Sequence, residues 1–248
     1  MAKPVKLSTN TFKTQTLALK YYREMLGGYE DGDRITNLEH DAYLRALITE
    51  RYDPALRAHG EPVKGDGQIS HFERRLNTGT GWSTSGFWVT RLDGTATDFS
   101  YIDAVKGKPK GIAMDFYKAC GHAVAKDCIL AKKRAFDEYA DASGRMPCEL
   151  TTDLVTSKEA HLDHARPYFG EIVKGFRAAK GWTKEIPDGV ITWPKDAQQT
   201  PTFVDSAVAD AFRDYHRDLA ILRIVSAKAN LSTAHFARPP KVRNEVRI

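Results

Sequence analysis

Cysteine is scarce in this chain: there are three in 248 residues, Cys120, Cys128 and Cys148, with no CxxC pair among them. That scatter excludes a disulfide framework and a structural zinc knuckle, and three buried free thiols are expected. Long apolar runs are missing as well. Nothing approaches the roughly 20 consecutive apolar residues that a bilayer-spanning helix needs, so no membrane partner is expected. The opening residues, Met-Ala-Lys-Pro-Val-Lys-Leu-Ser, lack the apolar stretch of a signal peptide, which points to the cytoplasm. Internal repeats and low-complexity segments are absent too.

A hydrophobic content of 42% is enough to fill the cores of two modest domains or one large one. A net charge of +5 and a pI near 9.0 suit a polyanionic partner. The excess is uneven. Residues 1 to 109 hold 15 Lys and Arg against 14 Asp and Glu, and residues 110 to 248 hold 22 against 18.

Apolar spacing predicts a helix from about Thr11 to Leu26, stopped by Gly27-Gly28, and a second from Leu38 to Tyr52, ending before Pro54. The glycine- and threonine-rich stretch from Gly60 to Gly86 suggests loops around a short strand near Ile69 to Phe72. Phe87 to Arg91 and Thr97 to Tyr101 alternate as strands about an Asp93-Gly94 turn. A long helix is expected from Ile112 to Ala142, with Phe116, Cys120, Val124 and Phe136 on one stripe. Beyond it come strand candidates at Cys148 to Leu150 and Ala160 to Leu162, then a helix from Tyr168 to Ala179. An irregular loop from Lys184 to Gln199 follows, then helical pieces from Phe203 to Val225 and a last short helix carrying Asn230.

Residues 161 to 164, His161-Leu162-Asp163-His164, bring an acid and a base together, and Asn230 adds a distant amide oxygen. A hard divalent cation prefers carboxylate and carbonyl oxygens. Phosphodiester hydrolysis in addition needs a base that deprotonates water beside the cation. In a strand, residues two apart share a face, so His161 and Asp163 point together and His164 points away unless the strand bends at its end. Arg166, two residues past His164, is placed to hold a phosphate oxygen bidentately or to form an ordinary salt bridge, and Lys228 could meet the backbone in the same way. His235 is expected as a phosphate contact or a surface histidine, since partners on one helix face stand three or four apart. His161 either acts directly at the site or is a hydrogen-bonding partner behind the ligands or a solvent-exposed residue.

Read with their surroundings, Asp163-His164-Ala165-Arg166-Pro167 and Leu222 to Asn230 resemble the strand end and closing helix of the HNH, or ββα-metal, nuclease family. The resemblance implies that Asp163 and Asn230 hold one divalent metal ion, Mg2+ or Mn2+, and that His164 is the general base. The family's middle Asn has no counterpart in Ala220-Ile221, and His216 is the nearest polar substitute, given a catalytic role on that basis. The family's paired CxxC motifs are missing, so no structural zinc is expected.

Phe87 to Tyr101, within residues 10 to 106, is similar to the DCL domain of plant organelle proteins, which implies a nucleic-acid-related accessory module. The expected architecture is α+β. A DCL-like domain (1–109) is joined by a bridging helix (110–143) to a zinc-free HNH-type domain (144–236) with a basic tail (237–248). The expected function is a metal-dependent endonuclease or nickase acting on DNA. The competing expectation is a non-catalytic nucleic-acid-binding or RNA-processing accessory protein on a degenerate HNH scaffold.

Overall fold

A computed structural model describes residues 3–66, 68–80, 82–193, 200–232 and 242–248. The chain is mixed α+β, with several small sheets distributed over two compact units, one of Met1–Met114 and one of Asp115–Thr192 with Pro201–Ile248. Each unit has its own core.

In the first unit a short pair, β1 (Val5–Lys6) and β2 (Thr11–Phe12), precedes α1 (Gln15–Gly27), whose first turn is capped by Thr14. Next, α2 (Leu38–Ala46) runs into a wider π-type turn (Leu47–Tyr52) and then α3 (Asp53–Ala58). Pro54 does not end this helical stretch as the sequence suggested. The Asp53 N–H donates to Ile48 five residues back, and Pro54 falls in the first turn of α3, where its missing N–H costs nothing. The sheet is β3 (Ile69–Gly79), β4 (Trp82–Arg91) and β5 (Ala96–Phe99), antiparallel in that order and followed by α4 (Tyr101–Lys106).

The expected loops of residues 60 to 86 are thus largely one long hairpin. Polar residues hide the strand because several have partners of their own. Arg74, for example, donates to Asp31, to Ser85 and to the carbonyls of Leu26 and Tyr29. Inward residues Phe72, Phe87, Val89 and Phe99 meet Tyr22, Leu44, Leu47 and Ile48 in the core. The Asp93-Gly94 turn forms where expected: Gly94 takes φ +83°, and Asp93 Oδ1 accepts from the Thr95 amide and hydroxyl.

The second unit is built on α5 (Ile112–Tyr139), expected as a bridge, whose Phe116, Ala119, Cys120, Val124, Ala131 and Phe136 lie in this unit's core. Two small two-stranded antiparallel sheets follow: β6 (Arg145–Pro147) with β7 (Leu154–Thr156), and β8 (Ala160–His164) with the distant β9 (Leu222–Ser226). Between β8 and β9 stand α6 (Phe169–Ala179) and α7 (Ser206–Leu219), and α8 (Ala227–Leu231) closes the motif.

Three expectations change here. Cys148 to Leu150 form a turn, with Thr152 N–H donating to the Cys148 carbonyl at 2.8 Å, and the strand lies just before it. The helix expected through Val225 stops at Leu219, because Leu222 to Val225 are buried on both faces of β9, a pattern that a short apolar run shares with a buried helix. Residues 242–248 are no free tail: Val246 is buried and pairs with Leu222, and Glu149 accepts the amides of Arg243 and Asn244.

Candidate functional site

The β8–β9 pair and α8 give a ββα arrangement around residues 160–164 and 222–231, with Asp163 directly opposite Arg223 and His164 opposite Leu222. The ladder continues past His164, since the Ala165 N–H donates to the Ile221 carbonyl at 2.8 Å. The end of β8 therefore does not bend, and the pleat alternates to its last residue.

Two faces result. On one, His161 Nδ1 and Asn230 Nδ2 are 3.0 Å apart, the amide donating to the ring nitrogen. Asp163 Oδ2 on the same face accepts from Arg223 Nε at 2.9 Å, and Arg223 Nη2 lies 2.8 Å from the same oxygen. Among the described residues no hydrogen bond reaches Asp163 Oδ1. The Arg223 side chain is 2% exposed and that of Asp163 13%, so the guanidinium has given up its water for this carboxylate.

On the other face, His164 Nε2 meets His216 Nε2 at 2.8 Å, beside the rings of Phe169 and Phe212. Burial holds both rings neutral. It pushes His164 down to about 3, with the charge of His216 as a second cause, and His216 down to about 4, with Asp127 opposing weakly. Among the described residues His216 Nδ1, which is buried, has no partner. A bare lone pair is easier to leave unpaired than an N–H, which favours His216 donating from Nε2 and His164 carrying its proton on Nδ1.

At the end of β8, a cleft of about 650 Å3 is lined by Asp163 as well as His164, together with Tyr117, Cys128, Phe169 and Glu171. Arg166 is exposed; its guanidinium lies 4.4 Å from the Tyr168 ring centroid and 3.7 Å from Glu171, so it forms the ordinary salt bridge. Lys228 is exposed on α8. His235 falls outside the described residues.

The structure thus brings His161 to Asn230, Asp163 to Arg223 and His164 to His216; strand alternation sets Asp163 and His164 on opposite faces of β8, although both line the cleft at its end. His161 touches Asn230, on the face of β8 that carries Asp163. Arg223 was missed from sequence because it sits inside the apolar run Leu222 to Val225; only its pairing with Asp163 marks it. The donor set suits a hard or borderline cation in kind, with one free carboxylate oxygen, one amide and one imidazole. Among the described residues no three His, Cys, Asp or Glu side chains gather as a metal site, so any cation here depends on the Asn230 amide.

Comparison with known proteins places its match elsewhere. A family model described as a protein of unknown function (DUF3223) matches residues 23–105, inside the first unit and short of the ββα site. The chain is similar to an uncharacterized protein from Rhodospirillum rubrum whose solution NMR structure is known. They share 27% identity over 42% of this chain and 89% of that one, with a TM-score of 0.34. None of the curated proteins matches. Among the described residues no helix is long and apolar enough to cross a membrane.

Proposed function

We propose that the second unit is an HNH-type, divalent-metal-dependent endonuclease that hydrolyses phosphodiester bonds in nucleic acid, with DNA as the expected substrate. The observation that carries this reading is the ββα arrangement, which sets Asp163, His161 and Asn230 on one face of β8–β9 and α8. Asp163 through Oδ1 and Asn230 through its amide oxygen would hold the ion. A bound Mg2+ or Mn2+ would polarise the scissile phosphate and take up charge on the leaving oxygen. The contact with His161 Nδ1 uses the Asn230 amide nitrogen and not this oxygen.

The attacking water would give its proton to a neutral imidazole as its oxygen bonds to phosphorus and the bond from phosphorus to the leaving oxygen breaks. His164 is neutral, but in the favoured tautomer its Nε2 is occupied by His216, and it faces away from Asp163. His161 is the imidazole on the Asp163 face. Cleavage of plasmid and oligonucleotides with Mg2+ or Mn2+ tests the reading, comparing wild type with Asp163→Ala, His164→Ala and His161→Ala. Loss of at least about a hundredfold in rate is expected for Asp163→Ala and for whichever histidine takes the proton. Cleavage unchanged in Asp163→Ala removes the nuclease reading.

One observation favours a second reading, in which the unit binds nucleic acid without cutting it: Asp163 is already satisfied by Arg223 while His164 is buried against His216. That reading predicts oligonucleotide binding in wild type with no cleavage under any metal.

A further inference from the structure

We propose that Arg223 makes the ligand set around Asp163 electrically neutral, so that this site takes up a divalent cation only together with the phosphate of a nucleic acid. The inference rests on the metal-dependent reading above and concerns the order and coupling of its two ligands.

The argument begins with charge. Among the described residues Asp163 is a lone carboxylate beside the His161–Asn230 contact on its face of the strand, and neither His161 nor Asn230 brings negative charge. Arg223, directly across the sheet, sets both Nε and Nη2 on Oδ2 and is buried, so its charge is neither screened by water nor able to swing away. Guanidinium is never deprotonated in a protein. The pair therefore sums to zero, and a cation approaching the open Oδ1 meets a carboxylate whose charge is already answered.

Divalent cations held by so few protein carboxylates complete their shell with water and with substrate phosphates. A phosphodiester brought to Oδ1 supplies the missing negative charge. Arg223 also does something useful there. With Oδ2 fixed, the carboxylate offers one oxygen in one orientation, which suits a ligand shared with a phosphate.

Linkage then requires reciprocity: phosphate tightens the cation as much as the cation tightens phosphate. The full-length protein is titrated with Mn2+, followed by the electron paramagnetic resonance signal of the free ion, alone and with a phosphorothioate DNA oligonucleotide that resists cleavage. Asp163→Asn gives the oligonucleotide's own Mn2+ uptake as background. Above that background, the oligonucleotide is expected to tighten Mn2+ by about a hundredfold. Fluorescence anisotropy of the labelled oligonucleotide should show the same factor on adding Mn2+.

Arg223→Gln, which removes the charge and keeps a donor for Oδ2, should let Mn2+ bind the free protein and reduce the coupling to near unity. Arg223→Lys should retain it. Equal Mn2+ affinity with and without oligonucleotide in wild type overturns the inference and leaves the metal reading standing. Coupling unchanged in a folded Arg223→Gln overturns Arg223 as its origin; if that variant does not fold, the wild-type linkage and Arg223→Lys still decide. No uptake above background in either state removes the metal site itself.

Discussion

Acid should weaken the second unit through the His164–His216 pair, and the size of the effect follows from its burial. Both rings have folded-state pKa values below the ordinary 6.5, at about 3 and about 4, because protonation would leave a cation among Phe169, Phe212 and a second imidazole. Above pH 6.5 both rings are neutral, folded or unfolded, and no stability depends on them. As pH falls below 6.5 the unfolded chain takes up protons that the folded unit refuses, so stability drops until the folded pKa values are reached. At about pH 5 each histidine lies some 1.5 pH units below its unfolded pKa, which makes roughly 2 kcal/mol per ring, or about 4 kcal/mol for the pair. Against a typical domain stability of about 5–15 kcal/mol that is a large fraction.

The assay is urea unfolding between about pH 7.5 and pH 5. It is read by Trp182, which packs on Phe116 and Phe176 in the second core, with the other three tryptophans replaced by phenylalanine. Other groups titrate over this range, so the informative quantity is the difference from a His164→Gln/His216→Gln variant, in which the pH dependence should shrink by about the amount worked out above. An unchanged slope in the variant would refute the account of the pair as buried and neutral.

Two further predictions concern buried charges. Asp53, 2% exposed, accepts the amides of Lys64, Gly65 and Asp66 at 2.8, 3.0 and 3.3 Å, so Asp53→Ala should cost the first unit about 3–5 kcal/mol by stranding three donors, measured by urea unfolding read from Trp88 fluorescence. For the pair across β8–β9, Asp163→Leu alone should cost about 3–5 kcal/mol by leaving Arg223 buried and uncompensated, whereas Asp163→Leu/Arg223→Met should cost much less. Equal losses in the single and double variants would show that the two charges do not answer one another.

The sequence by itself determined the features that rest on neighbours in the chain. Asp93-Gly94 makes its turn because a positive φ and a local Asx contact need only those residues. α5 and α6 follow from apolar stripes at helical spacing, and the alternation of His161 and Asp163 against His164 follows from strand geometry once the strand is granted.

Only the tertiary structure decided what each side chain meets. Leu222 to Val225 is apolar enough to be helix or strand, and its pairing with β8 makes it a strand and drops Arg223 onto Asp163 from 60 residues away. His164 finds His216 across 52 residues and His161 finds Asn230 across 69, because α6 and α7 fold back between the two strands. A carboxylate's charge, an imidazole's proton and a face of a sheet all depend on such partners, and local sequence carries no record of them.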